Sequence, residues 1–576
     1  MKHLKPTEMK VNLYIRLFLL FLIITSGIEN VSAQSEAEFM KVHKEFILRS
    51  SGAMEARYTK ELKILTHRAL NNMYGETFIV YDPRCQEIKF HKAYTRQVDG
   101  TIVEVPANAY NEVLPSAAAN APAYNYLREM VVTHTGLELG ATIFLDYSVI
   151  SKPGYYNFLD ITESLQELSP INEYRITVKV PSGTKVNYSV TGITETKKES
   201  KSRNQDIYTW TFLDIPADSR EMYQPTIAGF TPYFTLNTYD SQEKVFSFIH
   251  YSQNAPIEAI KKLDHVSTTN ATEYIDAVRN YVIKDLDYNR LSVWECGRHA
   301  RYLQDVCKTG YGTALEKAVL MKALLDNANV VSEVAILYPK GLSKNVYGLT
   351  AIKNVGVITV YNNEKVLIAC DANQLFTLAE LNNRYDIFSV LNNTKVEVSD
   401  VKNTVTTQQN SIIELVGDSL KRKATYQLSD VLRGKMLDKP ETDYTYSDVI
   451  NWSEYGYCKV TLKEDIAGIN DFYLAKLLSQ RSSSFELPYT TNDKVVHEII
   501  LPQGVECKTM PQQISLSNTA GQLLVSLTTS GSKIIVNKEL RLSKNLFTPA
   551  EYLELKELIS GWYNPNVNAI ILYKGR

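Results

Sequence analysis

Cysteine is scarce in this chain: six residues in 576, at Cys85, Cys296, Cys307, Cys370, Cys458 and Cys507. That is too sparse for a disulfide-built scaffold. One bridge between Cys296 and Cys307 fits the spacing, and buried free thiols fit it equally. No CxxC pair and no HExxH sequence occurs, which removes the common zinc signatures; no metal and no other cofactor is expected. Neither sign of charge dominates, with 62 Lys and Arg against 64 Asp and Glu. That near-balance argues against nucleic acid as the partner. Beyond the N-terminus no run of 18 apolar residues exists, so no membrane-spanning helix is expected there. No repeat period is evident.

The N-terminus itself is patterned. Lys2, Lys5, Lys10 and Arg16 precede an apolar segment from Leu17 to Ile28, and Val31-Ser32-Ala33 is a small-residue cleavage pattern before Gln34. The apolar segment is short of the ~20 residues that a spanning helix needs. Residues 1–33 therefore read as a cleaved export signal rather than an uncleaved anchor. Gln34 is not cysteine, so lipid attachment immediately after cleavage is not available. Cleavage leaves 543 residues, with 58 Lys and Arg against 62 Asp and Glu, a net charge of −4. Such a length exceeds one core, and about two to four domains are expected.

Residues 34–258 read as a β-rich domain. Strands are expected at Glu87 to Tyr94, Ile143 to Ile150, Tyr174 to Val180 and Ile207 to Phe212, with Asp99-Gly100 and Pro181-Ser182-Gly183 as turns. The abundant tyrosine suits half-buried sheet faces. Lys197 to Lys201 reads as a polar, solvated loop between two strands. Composition then changes, and residues 259–398 read as an α+β unit. Tyr274, Ile275, Val278, Tyr281 and Val282 give one apolar face to a helix over Thr272 to Asp285. Strands follow a second helix at Glu333 to Leu337, Val355 to Tyr361 and Val366 to Ala369. Residues 399–442 are polar and weakly periodic, and read as a connecting region with short strands. Residues 443–576 return to β patterning at Val495 to Leu501, Gln522 to Leu527 and Lys533 to Leu542. A helix over Thr548 to Ile559 and a strand over Asn568 to Tyr573 close the chain.

The most informative segment is Thr309 to Ala318, TGYGTALEKA. Thr313 and Glu316 form a Thr-x-x-Glu capping box ahead of an apolar run through Leu320, Met321, Leu324 and Leu325. The preceding Gly310-Tyr311-Gly312 allows close backbone approach. A helix N-terminus carries about half a positive charge, which stabilises a thiolate placed there. The first helical residue is Ala314, which offers no nucleophile. Capping accounts for Glu316, worth ~1 kcal/mol, and Lys317 is expected to point to solvent.

At this point the chain resembles the secreted, multidomain transglutaminase-like proteins of Gram-negative bacteria. The N-terminal part of the resemblance rests on RALNNMYGE, IVYDPRCQEIKFHKAYTRQVDGTIV and TGLELGATIFLDYSV. The central part rests on ATEYIDAVRNYVIKDLDY, TGYGTALEKAVLMKALL and KNVGVITVYNNEKVLIACDAN, and the C-terminal DKVVHEIILPQGV fits more loosely. The resemblance implies a multidomain α+β protein: an N-terminal β-sandwich-like domain, a transglutaminase-like (papain-like) α+β core and a C-terminal β-sandwich. In active relatives a Cys at the helix start attacks an amide carbonyl. A His on the next strand carries the proton, and an Asp one strand further orients the imidazole. By resemblance those positions fall on Ala314, Val355 and Asp371. Two of the three are apolar, so no catalytic triad is expected, and Asp371 without a His has the ordinary role of bonding the next turn.

The resemblance implies an exported, non-catalytic binding or scaffold module for a protein or peptide ligand in the cell envelope, in the periplasm or at the surface of a Gram-negative bacterium. One alternative is an active cysteine amidase, peptidase or transglutaminase using a displaced thiol such as Cys307, with His299 as base. Cys296 and His299 alone are a weak metal pair. His250 and His265 read as surface or packing residues. Cys370 is set aside because strand neighbours face opposite ways, so it would point away from a site that Asp371 faces. A second alternative is a glycan-binding accessory protein, since exposed aromatics stack on sugars. If residues 1–33 are a signal, intact-mass analysis of protein exported from a bacterial host will place the mature N-terminus at Gln34; membrane-bound material retaining Met1 would reject the cleaved signal.

Overall fold

Along Ile171–Pro181, Tyr174, Ile176, Val178 and Val180 are buried while the residues between them are only half-buried. This two-residue period is the mark of a strand with one face on a core, and it builds most of the first half of the protein. In the computed structural model the described residues are 35–575, apart from 71–73, 226–229, 248, 250–253, 298–299, 344, 372–374, 383, 399–403, 418, 430–442, 465–466, 472–479 and 488. The expected export segment, His250 and His299 lie outside the described residues.

Eight strands form the first sheet, in the order Thr196–Lys201, Gln205–Ile215, Ile171–Pro181, Ala37–Leu48, Met54–Ile64, Thr142–Ser151, Gln86–Arg96, Ile102–Glu104. Ala37–Leu48 and Ile171–Pro181 run parallel, and the other neighbours are antiparallel. Two three-stranded sheets pack against it. One joins Asn187–Thr191, Tyr233–Asn237 and Asp160–Ser164; the other joins Glu76–Tyr81, Arg128–Thr133 and Tyr110–Val113. Lys197 to Lys201 belongs to an edge strand rather than a loop. Its run of charged and polar side chains conceals the strand, and such a charged edge resists pairing with other chains.

The central unit is a six-stranded antiparallel sheet, in the order Leu375–Thr377, Glu364–Ala369, Asn354–Tyr361, Ser332–Pro339, Tyr385–Ser389, Thr394–Lys395. Helix Ala314–Asn327 packs on one face. The short helix Leu378–Asn382 packs on the other, with Leu378 and Leu381 against Leu337, Ile358 and Leu367. The helix expected over Thr272 to Asp285 is α-helical at Ala271–Arg279 and widens to a π-helix over Asn280–Asp285. Helix Gln242–Ser247 lies before the expected boundary at 258, yet its Phe246 meets Phe388 of the central sheet at a ring separation of 6.0 Å.

The expected connecting region 399–442 is corrected. Thr404–Val416 and Ser419–Leu428 are long strands of a seven-stranded C-terminal sheet, and Thr404–Val416 runs parallel to Thr490–Ile500. Their pattern was hidden because the inward positions Thr407, Gln409 and Ser411 are polar. Each is satisfied inside: Thr407 donates to Asp493 (2.6 Å), Gln409 to the Lys463 carbonyl (3.0 Å), and Ser411 accepts from Arg422 (3.2 Å). Burial without hydrogen bonds would cost about 1–3 kcal/mol each. Helix Pro549–Trp562 and a three-stranded sheet close this unit's core. Among the described residues no helix is long and apolar enough to cross a membrane.

The N-terminal and central units share one apolar cluster, which runs from Phe39 through Trp210 and Leu320 to Phe388. Their junction is pinned by Asp160. Its carboxylate accepts from the Leu349 amide (2.5 Å), the Thr350 hydroxyl (2.6 Å) and the Tyr239 hydroxyl (2.8 Å). Burial raises its carboxyl above the usual range against the pull of those donors. Gly348 passes so close that a Cβ would lie 2.3 Å from an Asp160 oxygen. Gly348→Ala is therefore expected to cost about 1–3 kcal/mol, read by urea unfolding, and to open the 340–353 loop to limited proteolysis. Unchanged stability would show that Asp160 yields freely.

Candidate functional site

The start of helix Ala314–Asn327 is assembled from three directions. Gly310, in the left-handed region at φ 73°, ends the short helix Leu303–Thr309. Strand Tyr311–Thr313 then pairs in parallel with Asp287–Asn289. Gly312 lies beneath the helix, where a Cβ would meet Val306 at 3.2 Å and Lys317 at 3.3 Å. Thr313 is the N-cap: its hydroxyl accepts from the Glu316 amide (3.3 Å), and Glu316 accepts from the Thr313 amide (2.9 Å).

Glu316 does more than cap. Its fully buried carboxylate also accepts from the Arg301 amide (3.0 Å), from Arg301 Nε (2.9 Å) and Nη2 (3.0 Å), and from the Tyr124 hydroxyl (2.7 Å). Burial alone would raise this carboxyl; Arg301 and the backbone donors outweigh it and hold it below the usual value. Arg301 continues to the Tyr311 carbonyl (2.7 Å), with its guanidinium 4.4 Å from the Tyr311 ring centre. Lys317 does not reach solvent. It is 1% exposed and donates to the carbonyls of Leu286 (2.8 Å) and Ile283 (3.4 Å), tying the end of the preceding helical segment to this one. Burial lowers its pKa, with Cys370, Asp287 and Asp371 acting in the opposite direction.

Ala314 is the first residue of the helix. Val355 lies at the start of Asn354–Tyr361, the strand on which the helix packs, and belongs with Val357 to the helix-side cluster. Asp371 lies just past the end of strand Glu364–Ala369, on the surface, and accepts from Asn354 Nδ2 (3.1 Å). The helix-side layer also receives Cys370, alongside Val366 and Ile368. That changes the expectation for the thiols: Cys370, set aside because strand neighbours face opposite ways, is the one beside Lys317, whose ammonium acts on it. Cys307 instead shares a hydrogen bond with Tyr281.

No thiol is activated. All six cysteines are free, so Cys296 and Cys307 are not bridged. Burial pushes Cys370 up to about 12 and Cys85 up to about 11, and it also raises Cys296, Cys307, Cys458 and Cys507. Burial thus favours the neutral thiol over the thiolate at every one of these positions. His265 is exposed. Among the described residues no group of three or more His, Cys, Asp or Glu is placed to hold a metal.

Beside the helix start lies a cleft of about 500 Å³. Asp287, Tyr288, Asn289, Arg290 and Tyr311 form one wall; Ser116, Ala117 and Asn120 of the N-terminal unit form the other. Asn289 donates to the Ala117 carbonyl (2.7 Å), Arg290 to the Ser116 hydroxyl (2.7 Å), and the Ala123 amide to the Tyr311 hydroxyl (2.9 Å). Tyr288 is 45% exposed; its hydroxyl is raised by burial, with Asp371 and Cys370 adding to it. The wall from residues 116–127 went unread because Ser116-Ala117-Ala118-Ala119 has no periodicity and no chemical motif. Its partners, the sequence-distant Glu316 and Tyr311, give it meaning only in the fold.

Two family models match, each described as a domain of unknown function with solved structure: DUF3857 over residues 50–219 and DUF3858 over residues 461–572. The chain is similar to the crystal structure of a candidate protease from Parabacteroides distasonis ATCC 8503, with 32% identity and a TM-score of 0.76, over 94% of this chain and 100% of that one. A candidate cysteine protease from Cytophaga hutchinsonii aligns at 11% identity and TM-score 0.18, over 40% of this chain and 78% of that one. An M1 zinc metallopeptidase from Deinococcus radiodurans aligns at 11% and 0.19, over 43% and 53%. Likeness at that level carries no argument. No protein with a curated function matches.

Glu316→Gln would leave the Arg301 guanidinium without its counter-charge, and loss of a buried pair costs about 3–5 kcal/mol. The deficit should appear in urea unfolding near neutral pH. The lowered Glu316 pKa makes its contribution complete above the unfolded value of about 4.3. It is lost as pH falls through the folded value, so the two proteins should converge in acid. A pH-independent difference would mean that charge is not what Glu316 supplies.

Proposed function

The chain belongs to the family of the Parabacteroides distasonis protein, and we propose that it acts by binding rather than by catalysis. In this reading residues 259–398 are a transglutaminase-like core whose triad positions are Ala314, Val355 and Asp371. The cleft that Tyr311 lines, three residues before Ala314, holds a protein or peptide segment in the cell envelope, after export to the periplasm or surface. The observation that carries the proposal is chemical: the polarised helix start presents a methyl group, while every cysteine is held above its ordinary pKa. Losing the nucleophile removes the covalent route and leaves the shape of the cleft. Shape is enough for recognition.

Amidase, peptidase or transglutaminase chemistry through a displaced thiol is disfavoured on the same ground. Cys307 lies one helix before the capped turn, beyond the reach of its dipole, and Cys370 is fully buried. A glycan ligand has one supporting observation: the exposed Tyr288 ring stands among Asn120, Asp287 and Arg290, a polar set suited to hydroxyl groups. Retention on immobilised peptide against immobilised oligosaccharide separates these two ligands.

The full chain is expected to show neither hydrolysis nor transamidation of a fluorogenic peptide amide, and uniformly slow labelling of all six thiols by iodoacetamide at neutral pH. Ala314→Cys with Val355→His should create one fast-labelling thiol, because the helix start lowers its pKa. Wild-type turnover that disappears in Cys307→Ala or Cys370→Ala would make the protein an enzyme.

A further inference from the structure

A second cavity, of about 240 Å³, lies where the end of the eight-stranded sheet meets two loops of the central unit. Phe46, Met54, Ala56 and Leu159 supply its apolar wall, and Trp294 and Thr350 reach it from the central unit. The Trp294 ring is stacked on Tyr156 with centres 4.0 Å apart and planes 8° apart. The Tyr156 hydroxyl donates to the Trp294 carbonyl (2.9 Å). The indole is thereby fixed from one side, a preformed surface that costs no ordering when a ring is placed on it. An apolar cavity of about 150 Å³ is already enough to hold benzene.

The charged lining has one sign: among the described residues Glu55, Asp160 and Glu163 line the cavity and no Lys, Arg or His does, while Lys44 and Arg49, which are not part of the lining, pair with Glu163 and Glu55. Asp160 is saturated by Leu349, Thr350 and Tyr239. Glu163 uses one oxygen for Lys44 (2.5 Å), and Glu55 accepts from Arg49 (2.7 Å) and Ser148 (2.8 Å). A carboxylate offers about four lone-pair sites, so Glu55 and Glu163 keep capacity for another donor. An ammonium can donate to those remaining lone pairs, which a ligand carboxylate cannot do.

We infer that this junction cavity binds a small aromatic ligand bearing a cationic amine: the ring lies among Trp294, Phe46 and Met54, and the ammonium is directed at Glu55 and Glu163. Small-molecule sites favour such domain junctions, with apolar walls and a few placed polar groups. The site shares no lining residue with the cleft at Tyr311 and does not depend on how that cleft is read. Calorimetric titration of the full chain with phenethylamine, and in parallel with phenylacetate, tests it. Saturable binding of the amine is expected, with phenylacetate at least tenfold weaker. Glu55→Gln, which keeps the shape, should weaken the amine about tenfold, equivalent to ~1.4 kcal/mol. Ala56→Leu should abolish binding by filling the cavity. The tryptophan emission change on binding should vanish in Trp294→Phe while the heat remains. No saturable heat at millimolar phenethylamine, equal affinity for phenylacetate, or binding unaffected by Glu55→Gln would overturn the inference.

Discussion

The carboxylate of Glu316 is the constraint around which the central unit is organised. A charged group with no exposure must have its lone pairs met by donors or its burial becomes costly. Here the donors come from the helix cap, from Arg301 and from Tyr124 of the N-terminal unit. One side chain therefore sets where the helix begins, how the preceding loop closes over it and where residues 116–127 rest. Those residues also pack Ala118, Ala121 and Leu127 against Leu291, Cys296 and Tyr311. The cleft between residues 116–120 and Tyr311 exists because these groups converge.

A second buried carboxylate, Asp160, sets the relation between the N-terminal and central units. Its donors lie on the loop between two central strands, and Thr162 meets Thr350 beside it at 3.0 Å. With a continuous apolar cluster on either side, neither unit presents a complete surface alone. The C-terminal unit is joined differently. Glu221 accepts from Ser482 and Ser483 and pairs with Arg481, and the Tyr223 and Phe485 rings lie 5.2 Å apart. These contacts are local and largely polar, whereas the first junction is a shared core.

The cap, the Arg301 pair and the Lys317 bonds to two carbonyls hold the helix start without using the side chain at position 314. Cys370 is sealed within the helix-facing layer of the sheet.

Much of the architecture was legible in the residues alone. The capping box at Thr313 and Glu316, the alternating strands at 142–151, 171–181 and 533–542, and the capped final helix are local patterns, and each formed as its own spacing dictates. Other features depended on partners far away in sequence. Lys317 is buried because the carbonyls of Ile283 and Leu286 receive it. Thr407, Gln409 and Ser411 face inward because Asp493, Lys463 and Arg422 satisfy them. Residues 116–127 became a wall of the cleft through Tyr311 and Glu316. Periodicity records which side chains prefer to leave water; whether a polar one can leave it depends on a partner that only the tertiary structure provides.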